Sequence, residues 1–145
     1  MSFSMEIKMK KTIYINPVPA SRARVTRWST FFPKKYSQFK KDMEIALGDV
    51  QMVPTKELIS CNIIFYVQIP KSWSKKKKLN AENSYCGNNS DIDNYIKATL
   101  DSLNGVFFED DKQVVRITAA KLYSSQPRIE YSHTEIDYLT TYLKN

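Results

Sequence analysis

The sequence predicts an α+β fold in which a small mixed sheet packs against two main helices. Three observations predict it. Residues 57–69 alternate apolar and polar side chains, the period of a half-buried strand. Two stretches, 33–48 and 90–105, instead repeat apolar residues at three- and four-residue steps, the period of an amphipathic helix. Two more alternating segments follow the second helix. At 145 residues and 42% hydrophobic composition, the chain suits one domain, 1–145, with a single core.

The elements follow in order. Ile7 to Ile15 alternates well enough for a strand and runs into NPVPASRARVTR, where Pro17 and Pro19 stop regular structure and enforce an extended loop. Pro33 fits the first turn of a helix whose Tyr36, Phe39, Met43, Ala46 and Leu47 share a face until Gly48 ends it. Its Lys34, Lys35, Lys40 and Lys41 lie mainly off that face. In the long strand, Ile59, Cys61, Ile63, Phe65, Val67 and Ile69 point one way, and Ser60, Asn62 and Gln68 the other. Residues 70–90 hold no sustained period and are expected as a basic mobile loop, with at most a short helical turn around Trp73 to Leu79. In the second helix Ile92, Ile96, Leu100 and Leu103 form the apolar stripe, closed by Gly105. Val114–Tyr123 and Arg128–Ile136 read as strands joined by a hairpin turn at Ser124–Pro127. In the tail, Tyr138, Leu139, Tyr142 and Leu143 have the spacing of a short amphipathic helix covering the core or a dimer seam.

The net charge of +7 is unevenly placed. Residues 1–80 carry 16 Lys and Arg against 5 Asp and Glu, whereas residues 81–145 carry 6 against 10. A basic half of this kind attracts nucleic acid or an anionic surface, although solvated lysines kept for solubility would look the same. Within it, Arg22, Arg24 and Arg27 stand between small residues beside Trp28, which suits phosphate contact with stacking; a flexible arginine loop without a ligand is the bland alternative. Lys75, Lys76, Lys77 and Lys78 form a run that fits DNA backbone or a solvated tip.

No stretch of eighteen apolar residues exists, and MSFSMEIKMKK lacks the features of a secretory signal, so no membrane partner and a cytoplasmic location are expected. Cys61 and Cys86 have no metal-ligand spacing, and no disulfide or zinc site is expected. His133, the only histidine, lacks a second ligand at zinc spacing. Phe107 and Phe108 are expected in the core rather than as a wedge into DNA.

The acids of the second helix are the unusual feature. Asp91 or Asp93 can cap the first turn, and Lys97 can bridge Asp93 and Asp101 across one turn each. Capping and salt bridges would account for these residues, but not for Asp110 and Asp111, which follow closely in FFEDDKQVV as it enters a strand. Acids that converge repel one another unless a hard divalent cation binds between them; Mg²⁺ prefers such oxygen ligands. A calcium EF-hand loop is excluded, because Tyr95 stands at the third ligand position and no glycine follows it. Clustered carboxylates in a basic protein suit phosphodiester hydrolysis, with Lys97 placed to donate to a phosphate oxygen as charge develops.

At these residues the chain resembles the RusA-type Holliday junction resolvases, an endodeoxyribonuclease family common in phages and prophages. DIDNYIKATLDSLNGVFFEDDKQV is similar to the family pattern D-x-D-N-x-x-K-x-x-x-D-x-L followed by D-D-x-Q-[VI]. NPVPASRAR and PKSWSKKKK extend the likeness upstream, to about residues 12–131. Asn16 stands where glycine is usual, and Ala23 where proline often occurs.

The resemblance implies a RusA-like, homodimeric fold. It further implies a Mg²⁺-dependent crossover junction endodeoxyribonuclease, with Mn²⁺ as substitute, that resolves four-way DNA by paired symmetric cuts in recombination and repair. Asp91, Asp93 and Asp111 would be its essential carboxylates and metal ligands, with Asp110 as the alternative to Asp111, and Lys97 its essential cation. Asn94 and Asp101 match further positions of the pattern. Two other functions compete: a non-catalytic basic nucleic-acid-binding protein whose acids only cap and pair, and a metal nuclease for other branched nucleic acids.

Overall fold

A computed structural model describes residues 6–136 except Phe32. Its elements are β1 (Ile7–Ile13), β2 (Arg24–Val25), β3 (Thr30–Phe31), α1 (Lys34–Leu47), β4 (Leu58–Gln68), α2 (Lys75–Ala81), α3 (Ile92–Leu103), a 3₁₀ turn (Asp111–Gln113), β5 (Val114–Ser124) and β6 (Arg128–Ile136). The expected α+β class, mixed sheet and two main helices are present, with α2 as a third, short helix. The expected tail helix at Tyr138, Leu139, Tyr142 and Leu143 lies outside the described residues.

The four-stranded sheet has the order β1-β6-β4-β5. β4 is parallel to β5 and antiparallel to β6, and β6 is antiparallel to β1. The hairpin expected between the last two strands is therefore not formed, because β4 inserts between β5 and β6. The link from Ser124 to Arg128 is long enough: four residue steps of about 3.3 Å exceed two strand spacings of about 4.8 Å. It passes over the end of β4, where Ile69 N–H donates to the Ser124 carbonyl at 3.3 Å. Glu82 fixes it from α2, its carboxylate accepting from Ser124 Oγ at 2.9 Å and Ser125 N–H at 2.8 Å.

The strict alternation of β4 decides which face is the core. Ile59, Cys61, Ile63, Phe65 and Val67 are buried with Ile129 and Tyr131 of β6, and Tyr36, Phe39, Met43 and Leu47 of α1 close over them. Ser60, Asn62, Thr118 and Ser132 occupy the opposite face. In α3 the most buried positions are Tyr95, Ala98, Thr99 and Leu103, while Ile92, Ile96 and Leu100 are only partly buried. The stripe read from hydrophobicity is thus rotated toward Tyr95 and Thr99. The reason is contact on two sides, since α3 touches both α1 and β5 and needs small Ala98 and Thr99 for close approach.

Residues 70–90 are not structureless. Ser74 caps α2, its Oγ accepting from Lys77 N–H at 3.2 Å. The following chain is tied to β5 by Asn83 N–H to the Tyr123 carbonyl and Cys86 N–H to the Lys121 carbonyl. These are backbone bonds to a distant strand, which leave no hydrophobic period in the sequence.

Cys61, Phe107 and Phe108 are buried in the core, as expected, and Cys86 is buried too. His133 is a core residue: its Nδ1 lies 2.6 Å from Tyr131 Oη, which in turn lies 3.5 Å from Cys61 Sγ. Burial pushes the His133 pKa below its usual 6.5, partly offset by the charge of Glu135. The unfolded chain therefore binds a proton that the folded chain resists, so this contribution to stability is complete above about pH 6.5 and is lost as pH falls toward the folded pKa. Chemical denaturation at pH 7.5, 6.5 and 5.5 is expected to show this loss. His133→Gln should be less stable at pH 7.5 but flatter across the interval; an equally steep profile would assign the dependence to other groups.

Candidate functional site

Helix α3 presents the acids. Asp91 occupies its N-cap position with extended backbone (φ −73°, ψ 141°), yet its side chain makes no capping hydrogen bond. Asp93 is in the first turn, and both residues are exposed. Lys97 pairs with Asp101 at 3.6 Å, not with Asp93. Of the local roles that would account for these residues, only the Lys97–Asp101 bridge is formed. Among the described residues, the carboxylates of Asp91 and Asp93 take part in no hydrogen bond or ion pair.

The return from α3 to β5 is built by a tight turn. Gly105 has φ +77°, where a side chain would be strained, and its N–H donates to the Phe108 carbonyl at 2.7 Å. Phe107 and Phe108 then enter the core, and Thr55 brackets them through its N–H to the Phe107 carbonyl and its carbonyl from Glu109 N–H.

Asp110 and Asp111 do not sit in the strand, as the sequence suggests, but at the start of the 3₁₀ turn. Asp110 caps that turn: its Oδ1 accepts from Lys112 N–H at 2.9 Å, and its own N–H donates to Gln113 Oε1 at 2.8 Å. The bond from Lys112 leads the effects that hold the Asp110 carboxyl below the usual carboxylate range. Asp111 is pushed the other way, first by desolvation, then by its hydrogen bond with Asp110 and the charges of Asp110 and Asp101, while Lys97 opposes the rise. The pair is thus divided into a capping acid and one that senses the Lys97–Asp101 side of α3.

Gln113 is the residue whose role the sequence did not reveal. It is buried, and besides accepting from Asp110 its Nε2 donates to the carbonyls of Thr55 at 2.8 Å and Glu57 at 2.9 Å. One side chain therefore ties the acid step to the segment leading into β4. The D-D-x-Q spacing was its only local signal.

Lys121 was also missed. From β5 its Nζ donates to Asn88 Oδ1 at 2.8 Å and to the Ser90 carbonyl at 2.6 Å, while Asn88 Nδ2 donates to Tyr95 Oη at 2.9 Å. This bracket fixes the loop immediately before Asp91. Ala20 N–H, donating to the Asn94 carbonyl at 2.8 Å, anchors the proline loop on the same helix end.

The three expected ligands do not form a ready-made cage within one chain. Among the described residues, no group of three or more His, Cys, Asp or Glu side chains could hold a metal ion. Mg²⁺, however, is commonly held by one or two carboxylates plus substrate phosphate and water, so oxygen donors of the Asp111 kind suit it without such a cage.

The expected DNA contacts are exposed except Lys78, which is half-buried. Arg22, Arg24 and Arg27 lie on or beside the β2–β3 ribbon, with the Arg27 guanidinium 5.4 Å from the Trp28 ring centroid. Lys75 to Lys78 form the first turn of α2, and Lys77 Nζ lies 4.0 Å from the Trp73 ring centroid. Among the described residues none of these seven cations is in an ion pair. No described helix is long and apolar enough to cross a membrane.

An α+β domain with this acid-bearing helix, acid step and unpaired basic surface belongs to the RusA endodeoxyribonuclease family: the family described as "Endodeoxyribonuclease RusA" matches residues 15–132. A curated relative, "Uncharacterized protein YqaN" of Bacillus subtilis (strain 168), is 34% identical over 139 residues, covering 88% of this chain and 96% of its own.

Replacing Gln113 with Ala would remove three hydrogen bonds and leave buried backbone groups unpaired, a loss of about 2–4 kcal/mol in all. Urea denaturation should show that loss, and amide exchange should quicken at Asp110 and Lys112. A change below about 0.5 kcal/mol would mean that Gln113 does not hold the acid step.

Proposed function

We propose that this protein is a structure-selective endodeoxyribonuclease that resolves four-way DNA junctions by paired phosphodiester cuts. The observation that carries the reading is the idleness of Asp91 and Asp93. Two exposed carboxylates at the head of a well-packed helix neither cap nor pair, yet occupy the acid positions of the family pattern. Acids placed only for stability would be expected to do one or the other.

In this reading Asp91, Asp93 and Asp111 are the essential carboxylates, and Asp111 is preferred to Asp110 because Asp110 is occupied as a cap. Mg²⁺, or Mn²⁺ in its place, would bind at these acids together with a DNA phosphate. When bound, such an ion supplies a water of lowered pKa and neutralises charge on the phosphate. Lys97, restrained by Asp101, donates to a phosphate oxygen as negative charge builds. Arg22, Arg24 and Arg27 with Lys75, Lys76, Lys77 and Lys78 hold the backbone on either side by sequence-independent attraction. A homodimer would match the two-fold symmetry of a junction and allow paired cuts. The protein would then act in the cytoplasm of a bacterium or phage-infected host, in recombination and repair.

Cleavage of a mobile four-way junction and of a linear duplex, each with Mg²⁺, with Mn²⁺ and with chelator, tests the whole reading. Cutting confined to the junction and abolished by chelator is expected; equal cutting of both substrates would sink junction selectivity. Asp91→Asn and Asp93→Asn should each lose at least ~10²-fold in rate while binding the junction as well or better, because a repulsive charge near phosphate is gone. Full activity in both variants would refute the metal-holding role of Asp91 and Asp93. Lys97→Ala should lower kcat by about 10²-fold with little change in affinity, the pattern of a contact made in the transition state. A loss in binding alone would make Lys97 a docking residue.

A further inference from the structure

We propose that a polar cavity beside the head of α3 is a subsite for one nucleotide of the DNA strand, with Lys35 as its anchor. The cavity, about 490 Å³, lies between the proline loop, the start of α1, the end of β4 and the loop that ends at Ser90. That volume falls within the range of about 300–1,000 Å³ typical of small-molecule sites. Ser90, which directly precedes Asp91, and Tyr95 of α3 both line it, so the cavity lies at the head of the helix that bears the acids.

Its electrostatics select an anion. Arg24 and Lys35 are the charged groups among its described lining residues, no acid joins them, and neither is in an ion pair among the described residues. A phosphate in the cavity would therefore meet two uncommitted cations, one able to form a planar fork and the other a point charge.

Its walls are fixed before any ligand arrives. Pro17, Pro19 and Pro33 restrict the backbone on one side. Asn16 Oδ1 accepts from Gln68 N–H at 3.0 Å, clamping the loop to β4, and this leaves the Asn16 amide NH₂ available as a donor. Asn88 is held between Lys121 and Tyr95 on the other side. A preformed cavity lined by amide and hydroxyl groups as well as two cations matches a nucleoside joined to a phosphate better than a bare anion, because an anion alone would need only the cations.

The proposal rests on the endonuclease reading for the identity of the ligand, but its test does not need cleavage. Full-length ¹⁵N-labelled protein is titrated with deoxycytidine and deoxyadenosine 5′-monophosphates, inorganic phosphate and deoxycytidine. Either nucleotide is expected to shift the amide signals of Asn16, Gln68, Asn88 and Ser90, and to bind several-fold more tightly than phosphate or the nucleoside. Lys35→Ala and Arg24→Ala should each weaken nucleotide binding by about fivefold to tenfold, the loss of one charge-assisted contact. Phosphate binding as tightly as the nucleotides would overturn the nucleotide subsite, as would shifts confined to α2 or nucleotide binding unchanged in Lys35→Ala. A protein that binds nucleotide at these residues but cuts no junction would sink the endonuclease reading and leave the subsite standing.

Discussion

Helix α3 is clamped at both ends, and the rest of the site depends on that clamp. At its head the Lys121 ammonium holds Asn88 and the Ser90 carbonyl, and Asn88 holds the Tyr95 hydroxyl. At its tail the Gly105 turn sends Phe107 and Phe108 into the core, where complete burial contributes about 1.5–3 kcal/mol for each ring. A helix held in this way has no freedom to rotate, so the side chains on its exposed edge keep one bearing relative to the acid step that follows.

This arrangement separates structural acids from the others. Asp101 restrains Lys97, Glu82 ties the β5–β6 link to α2, and Asp110 caps the 3₁₀ turn. Asp91 and Asp93 are left without such duties. Their cost to stability is small because they are exposed, near the positive end of the helix dipole, in a chain of net positive charge. The fold can therefore carry unpaired carboxylates within reach of a polyanion without their mutual repulsion opening the helix. The seven cations of the β2–β3 ribbon region and α2 stand on elements other than α3. The consequence is a set of exposed cations on these elements and two unpaired, exposed acids at the head of α3.

Much of the fold was legible in the sequence because burial imposes a period. The alternation of Ile59 to Val67 defined a strand and its inward face, and the spacing of Tyr36, Phe39, Met43 and Leu47 defined α1. Strand pairing was not legible in this way: a strand bears the same alternation whether its neighbour is β4 or β5, so the order β1-β6-β4-β5 could not be read locally. The short helix α2 was obscured because its lysines face water and only Ala81 is buried, which leaves no apolar stripe to count.

The sequence by itself determined which residue types are available to the site: the acids at 91, 93, 101, 110 and 111, Lys97 among them, and the excess of cations upstream. It also determined the helical spacing that joins Lys97 to Asp101, since that contact spans one turn and needs no distant partner. Tertiary structure alone decided that Asp93 goes without the lysine, that Asp110 becomes a cap while Asp111 senses α3, and that Gln113 and Lys121 hold the two loops. The last of these outcomes depends on groups some 30 to 60 residues apart, since the bonds from Gln113 to Thr55 and from Lys121 to Ser90 span separations of 58 and 31. Local periodicity records which face a residue turns inward; it carries no record of what waits there.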